Sequence, residues 1–166
     1  MSEPKTVVCP GSYDPVTNGH LDIITRTSAL FDRVVVGVVN QPIRKQKTAF
    51  TAEERKAFID DATADLGNVE VVVFSTLVVE LAREVGAAAI VKGLRAISDF
   101  EYESEMAQLN KKLDSGIESI YVFARPNFSF LSSTGVKEMA TFGADISDLV
   151  PAPVAAALAD RLERDR

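Results

Sequence analysis

Five short β-branched runs recur along the chain, at Val7–Val8, Val34–Val39, Val69–Phe74, Ala88–Val91 and Ile117–Phe123, and a stretch with helical spacing follows each. Several of the runs are apolar without alternation, the pattern of strands covered on both faces. The stretches between them carry end signals. His20–Phe31 sets Leu21, Ile24, Leu30 and Phe31 largely on one side, and Thr51-Ala52-Glu53-Glu54 reads as a capping box opening a helix that closes near Gly67. Leu77–Val85 stops at Gly86, Asp99–Leu113 near Gly116 and Ser133–Phe142 at Gly143, while Pro151 and Pro153 introduce a last amphipathic helix reaching Leu162.

Strands alternating with helices make βαβ units, and right-handed crossovers between them build a parallel sheet. The expected fold is therefore α/β: a Rossmann-like, doubly wound parallel five-stranded sheet with helices on both faces. Ligands in such a sheet bind beyond the carboxyl ends of the strands, where strand order reverses. The segments that matter are then Cys9–His20, Asn40–Phe50, Ser75–Val78, Lys92–Ser98 and Ala124–Thr134. With 166 residues and no linker or repeat, one domain over 1–166 is expected, large enough to bury a core without disulfides.

Charge and rare residues exclude several functions. A net charge of −6 argues against a general nucleic-acid or anionic-membrane binder, so any phosphate chemistry is local. Cys9 is the one cysteine and His20 the one histidine, which removes an internal disulfide and a Cys/His metal site and fits a reducing compartment. No apolar run approaches the ~20 residues of a membrane span, and Met1–Thr6 holds no signal-peptide core. The expectation is a soluble, cytoplasmic protein.

Four segments are placed to carry chemistry. In Pro10-Gly11-Ser12-Tyr13-Asp14-Pro15-Val16-Thr17-Asn18-Gly19-His20, Gly11 admits close backbone approach, Asp14-Pro15 fixes a turn, and Thr17 or Asn18 caps the next helix. A helix start offers amides and partial positive charge to a phosphate, and His20 in its first turn can donate to the same anion. A lone histidine there is ordinarily a capping group, but the company of Gly11, Asp14 and Gly19 favours a ligand loop. Arg44-Lys45-Gln46-Lys47 reads either as a solvated charge run or as a phosphate clamp. Lys92-Gly93-Leu94-Arg95 sets two cations at a strand's end, to hold phosphates or to pair with Asp99, Glu101 or Glu103. Ser132-Ser133-Thr134 opens the helix bearing Lys137, as cap or anion nest, and Phe128-Ser129-Phe130 before it reads as core.

Neither Gly-x-Gly-x-x-Gly after the first strand nor Gly-x-x-x-x-Gly-Lys-Ser/Thr occurs, and no nucleophile elbow is present. A helix start, one imidazole and scattered cations suit phosphoryl or nucleotidyl transfer by positioning and charge stabilisation, without a covalent intermediate.

Thr17-Asn18-Gly19-His20 matches the Thr/His-x-Gly-His signature of the nucleotidyltransferase superfamily. Together with Lys92-Gly93-Leu94-Arg95, Asp99-Phe100-Glu101-Tyr102-Glu103, Ser132-Ser133-Thr134 and Lys137-Glu138, the chain resembles the bacterial phosphopantetheine adenylyltransferases from Val7 to about Leu158. That resemblance implies transfer of AMP from ATP to 4′-phosphopantetheine, giving dephospho-coenzyme A and pyrophosphate, the penultimate step of coenzyme A synthesis. It implies in-line attack helped by Mg²⁺, and a homohexamer; no acidic pair in the sequence stands out as a metal site, so Mg²⁺ is expected to be held mainly through ATP phosphates and not by protein residues. His20 would be the catalytic residue. ATP contacts would fall on Ser12, Tyr13, His20, Gly93, Leu94, Arg95, Glu103, Phe128, Ser129, Phe130, Leu131, Ser132, Ser133 and Thr134. Ser12, Val78, Lys92 and either Arg44 or Lys45 would bind phosphopantetheine. Ser12 stands where Thr is frequent, the basic loop is longer by about two residues, and Thr134-Gly135 replaces a commoner Ser-Leu. The alternatives are a nucleotidyltransferase acting on nicotinate mononucleotide or glycerol phosphate, and a non-catalytic nucleotide-binding module.

Overall fold

Residues 4–43 and 47–164 are described by a computed structural model, in which strand and helix alternate from the first element to the last strand. The elements are β1 (Thr6–Gly11), α1 (Asn18–Ser28), β2 (Arg33–Val39), α2 (Ala52–Ala62), β3 (Val69–Phe74), α3 (Val78–Glu84), β4 (Ala89–Leu94), α4 (Ile97–Leu113) and β5 (Glu118–Phe123). A short 3-10 turn at Pro126–Phe128, α5 (Ser133–Thr141) and α6 (Ala152–Arg164) complete the order. The five strands form one sheet, β3-β2-β1-β4-β5, with every neighbouring pair parallel.

Alternate residues of the central strands feed two apolar layers, as the lack of polar alternation demands. Val7, Val34, Val36, Val38, Ala89 and Val91 pack with Ile24 of α1, Ile59 of α2, Val136 of α5 and Val154 and Leu158 of α6. On the opposite face Val8, Val35 and Ile90 pack with Val79, Leu81 and Ala82 of α3. Side chains such as Val8, Val34 and Val35 have no exposure, so each stabilises the fold by ~1.5–3 kcal/mol.

Local signals set most element ends. The Thr51 capping box forms, with the Thr51 amide donating to Glu54 Oε2 at 2.7 Å and the Glu54 amide to Thr51 Oγ1 at 3.2 Å. Gly86 and Gly143 end α3 and α5 at φ of +67° and +78°, where a β-carbon would be strained. Other boundaries move. Helix α1 runs Asn18–Ser28 rather than His20–Phe31, α2 ends at Ala62 well before Gly67, α4 begins two residues early at Ile97, and α6 continues to Arg164. β1 extends through Pro10 and Gly11, and β4 through Lys92 to Leu94, although Pro10, Gly11, Lys92 and Gly93 lack the apolar character of the core strands.

That extension builds the cleft. β1 stays in register with β2 from Thr6↔Arg33 to Gly11↔Val38, but pairs with β4 only at Val7↔Ala89 and Val8↔Ile90. Beyond Val8 and Ile90 the two strands part, each still held by its outer neighbour, so the sheet splits where strand order reverses. The polar ends of β1 and β4 belong to the walls of that split, which is why an apolar criterion stops short of them.

Candidate active site

Between the diverging ends of β1 and β4 lies a cavity of about 340 Å³, within the range of small-ligand pockets. Its walls include Cys9–Tyr13 from β1 and the following loop, Gly19 and His20 from α1, Val91–Gly93 from β4 and Arg95 just after it, Asp99 and Glu103 from α4, Phe128, and residues 131–134 around the start of α5. Segments far apart in the sequence converge here because each follows a strand of one parallel sheet.

His20 occupies the third position of α1 and closes a reciprocal cap. Its amide donates to Thr17 Oγ1 at 3.3 Å, while the Thr17 amide donates to His20 Nδ1 at 3.0 Å; Thr17 Oγ1 is also 3.0 Å from that nitrogen. An Nδ1 that accepts from a backbone amide carries no proton, so hydrogen-bond logic assigns the proton to Nε2. The capping role and the ligand role therefore coexist: one nitrogen holds the helix start and the other remains a donor. The helix start is otherwise partly spent, because the Asn18 amide donates to Leu149 O at 2.8 Å.

Tyr13 buttresses the imidazole. Its ring meets that of His20 edge-on, centroids 5.1 Å apart and 73° between planes, and its hydroxyl donates to Cys9 O at 2.9 Å. Burial, and next the neighbouring Cys9, drives the phenol well above its ordinary pKa, so it stays a neutral donor. Tyr13 sits at φ 48°, a left-handed conformation costing ~1–3 kcal/mol, with its ring folded over Gly11. A β-carbon at Gly11 would lie 2.9 Å from Tyr13 Cε2, so glycine is required by this ring rather than by a ligand. Burial pushes the Cys9 thiol up to about 12, against a smaller opposing effect of Thr27, which leaves the thiol unreactive at neutral pH.

Both cations of Lys92-Gly93-Leu94-Arg95 are held on carboxylates. Lys92 Nζ lies 2.6 Å from Glu103 Oε1 and 5.9 Å from the Tyr102 ring centroid. Glu103 is buried, and its other oxygen, Oε2, has no hydrogen-bond partner, an arrangement that leaves a strong acceptor at the cavity wall. Arg95 Nε lies 3.2 Å from Asp99 Oδ2 while Nη1 donates to Leu131 O at 2.8 Å. The pairing and the ligand readings are thus compatible, since both chains stand at the cavity with charge available by exchange. Gly93 has a packing role: a β-carbon there would come 3.0 Å from Ile23 Cγ1, so α1 could not lie so close to β4. At the start of α5, Ser132 Oγ accepts from the Gly135 amide at 3.0 Å as the N-cap, and Ser133 Oγ donates to Pro15 O at 2.8 Å.

Some residues expected at the site lie elsewhere. Leu94 is buried away from the cavity, in a separate apolar depression with Ile97, Phe100 and Phe123. Ser129 and Phe130 do not line the cavity, and Phe130 is 70% exposed rather than core. Val78 opens α3 and packs against the apolar layer of Val8 and Val35. Arg44 and Lys45 lie outside the described residues. Two buried charges to which sequence reasoning gave no site role, Asp14 and Arg55, support it from behind. Asp14, wholly buried, accepts from the Ala49 and Phe50 amides at 2.9 and 3.0 Å and meets Lys137 Nζ at 3.0 Å. Arg55 is wholly buried on α2 and donates to the Ser12 carbonyl. In the sequence Asp14 is a turn residue and Arg55 a helix charge; no local signal marks either as buried. Among the described residues no group of three or more His, Cys, Asp or Glu is placed to hold a metal, and no helix is long and apolar enough to cross a membrane.

The cytidylyltransferase-like family profile matches residues 8–139. The phosphopantetheine adenylyltransferase of Staphylococcus carnosus is 47% identical over 161 residues, covering 97% of this chain and 98% of that protein. That of Streptomyces coelicolor is 51% identical over 159 residues, covering 95% and 98%. This chain belongs to the phosphopantetheine adenylyltransferase family. A crystal structure of a protein assigned as a nicotinate-nucleotide adenylyltransferase, from Vibrio parahaemolyticus, superposes with a TM-score of 0.70 at 18% identity, over 99% of this chain and 98% of that one. At that identity the likeness concerns the fold alone. Family membership and cavity agree: the nucleotidyltransferase signature Thr17–His20 supplies the reciprocal cap and the Nε2 donor.

Proposed function

We propose that this chain transfers the adenylyl group of ATP to 4′-phosphopantetheine, releasing pyrophosphate and forming dephospho-coenzyme A. The observation that carries the reaction class is the parting of β1 and β4 beyond Val8 and Ile90, which gathers His20, Lys92 and Arg95 around one cavity. The acceptor is supported by relatives of that name at about half identity over nearly the whole chain.

In this reading the triphosphate lies along the start of α1, and an oxygen of the acceptor's phosphate attacks the α-phosphorus as the bond to the β-phosphate oxygen breaks. Charge grows on the non-bridging α-phosphate oxygens, where His20 Nε2–H donates. Such a pre-set donor contributes ~10²–10³ in rate, because it is in place before charge develops. No protein nucleophile is needed, and Cys9 is too weakly acidic to be one. Arg95 leaves Asp99 for the ATP phosphates and Lys92 leaves Glu103 for the acceptor phosphate. Glu103 then accepts from the nucleotide, which answers its unpartnered Oε2. Ser12 binds phosphate oxygens, and Tyr13, Gly93, Phe128, Leu131, Ser132, Ser133 and Thr134 shape the nucleotide site.

Among the described residues the carboxylates lining the cavity, Asp99 and Glu103, are paired with cations. Mg²⁺ would therefore be carried by ATP rather than by these side chains, and would supply charge neutralisation at the phosphates. A cytoplasmic setting suits the substrates. Self-association, as a homohexamer by the family resemblance, is supported by the apolar surface around Ile97, Phe100 and Phe123, which are 81%, 57% and 76% exposed and lie together.

Incubation with ATP, Mg²⁺ and 4′-phosphopantetheine, followed by mass detection of dephospho-coenzyme A, tests the reading. Parallel incubations with nicotinate mononucleotide and glycerol phosphate test the alternative acceptors. Pyrophosphate released with either of those and not with phosphopantetheine overturns the assignment, and tight ATP binding with no pyrophosphate from any acceptor makes the chain a binding module.

A further inference from the structure

Among the described residues Arg55 is the largest side chain that the fold buries completely, and it lies outside the cavity on α2. A guanidinium cannot be deprotonated in a protein and is costly to bury, so its contacts must be complete. They are all backbone carbonyls: Nε donates to Phe50 O at 3.1 Å, Nη1 to Ser12 O at 2.6 Å and Val39 O at 2.9 Å, and Nη2 to Asn40 O at 2.9 Å. Val39 and Asn40 are the outgoing stem of the β2–α2 loop, Phe50 is its returning stem, and Ser12 belongs to the β1–α1 loop that ends in His20. One planar fork thus grips both stems of one loop and the wall of the cavity.

A second tie runs parallel to the first. Asp14, two residues from Ser12, accepts from the Ala49 and Phe50 amides of the returning stem and meets Lys137 of α5. Arg161 of α6 adds an outer brace, donating to Ala49 O and Glu54 Oε1, each at 2.6 Å. By contrast, Lys92 of β4 and Arg95 just beyond it reach the cavity from the other side and show no hydrogen bond or ion pair to this network among the described residues.

We propose that Arg55, with the Asp14–Lys137 pair behind it, is a positioning residue that fixes the β2–α2 stems in register with the Ser12–His20 wall. Groups contributed from that wall then meet those from β4 at one geometry. The inference rests on the adenylyl-transfer reading for its kinetic consequence but not for the coupling itself. A misplacement of about 1 Å is enough to cost ~10²-fold in rate, so the signature is a fall in kcat with nucleotide binding retained.

The test uses the full chain carrying Arg55→Lys, which keeps the charge and loses the fork, and Lys137→Met, whose site is partly open to solvent and spares α2. Each is assayed at a temperature where circular dichroism shows it fully folded. The expected result is a fall in kcat of ~10-fold or more with the ATP Kd within ~3-fold, and recovery of most of the Lys137→Met loss in Lys137→Arg. Amide hydrogen exchange, followed without substrate, is expected to rise together at residues 12–14 and 49–50. Folded variants with parental kcat, or exchange that rises in one loop and leaves the other unchanged, overturn the proposal. Should Arg55→Lys not fold, Lys137→Met decides by the same criteria. Should the parent protein itself make no dephospho-coenzyme A, the functional reading fails and the exchange result alone decides the coupling.

Discussion

Replacing His20 by alanine removes three things at once: the Nε2 donor, the acceptor of the Thr17 amide, and the edge-on contact with Tyr13 at 5.1 Å. The second costs ~0.5–1.5 kcal/mol and the third a similar ~0.5–1.5 kcal/mol. A total of about 1–3 kcal/mol lowers Tm by roughly 2–12 °C for a chain of this size. The first costs ~10²–10³ in kcat while ATP binding changes far less, because the donor is matched to charge that develops only in the transition state. His20→Glu separates the two losses. A glutamate at this position is the capping-box residue itself, and a carboxylate in the first turn adds ~0.3–1 kcal/mol through the helix dipole. It is therefore expected to recover about 1–2 kcal/mol over His20→Ala while its turnover falls below that of His20→Ala, since a negative charge now faces the triphosphate. Thermal unfolding and steady-state pyrophosphate release read the two quantities. Near-parental turnover in His20→Ala sinks the donor role. A His20→Glu protein no more stable than His20→Ala sinks the capping role.

Lys92→Ala is expected to raise KM for phosphopantetheine by ~10-fold or more and, by stranding the Glu103 carboxylate, to lose ~1–3 kcal/mol of stability. Adding Glu103→Gln returns most of that stability and none of the acceptor affinity; equal loss of ATP affinity with an unchanged acceptor KM counts against the assignment. With its thiol pushed up to about 12, Cys9 is expected to resist thiol reagents in the folded protein at neutral pH and to react once denaturant is added, so prompt labelling of the native chain contradicts its burial. Glu54 is held below the usual carboxylate range: burial opposes the shift, and the Thr51 amide and hydroxyl with Arg161 outweigh it. A depressed folded-state pKa gives stability above the unfolded value that is lost as pH falls through the folded one. Glu54→Gln is therefore expected to be less stable than the parent at neutral pH by up to ~1 kcal/mol, as for an exposed pair, with the gap closing below about pH 4; a gap that widens in acid refutes the sign.

The aromatic and basic segments show where local reading failed. Phe128-Ser129-Phe130 reads as core from its hydrophobicity; Phe128 does pack against the core, but Phe130, two residues beyond the 3-10 turn at Pro126–Phe128, is 70% exposed. Lys92 and Gly93 read as loop and are strand, paired with Tyr121 and Val122 of β5. A strand that serves as cavity wall does not obey the apolar rule by which buried strands are recognised.

Sequence alone determined what depends on neighbours a few residues away. The β-branched runs, the Thr51–Glu54 box, the glycines that end α3 and α5, and the Thr17–His20 signature each state a local preference, and together they specify a parallel sheet with its ligand loops on one edge. Tertiary structure decided what depends on distant partners. Lys137 meets Asp14 across 123 residues and Arg55 reaches Ser12 across 43, so the burial of these charges follows from the crossovers and from no local pattern. The same holds for the cleft, which exists because β1 and β4 cease pairing after two residue pairs while their outer neighbours continue to hold them.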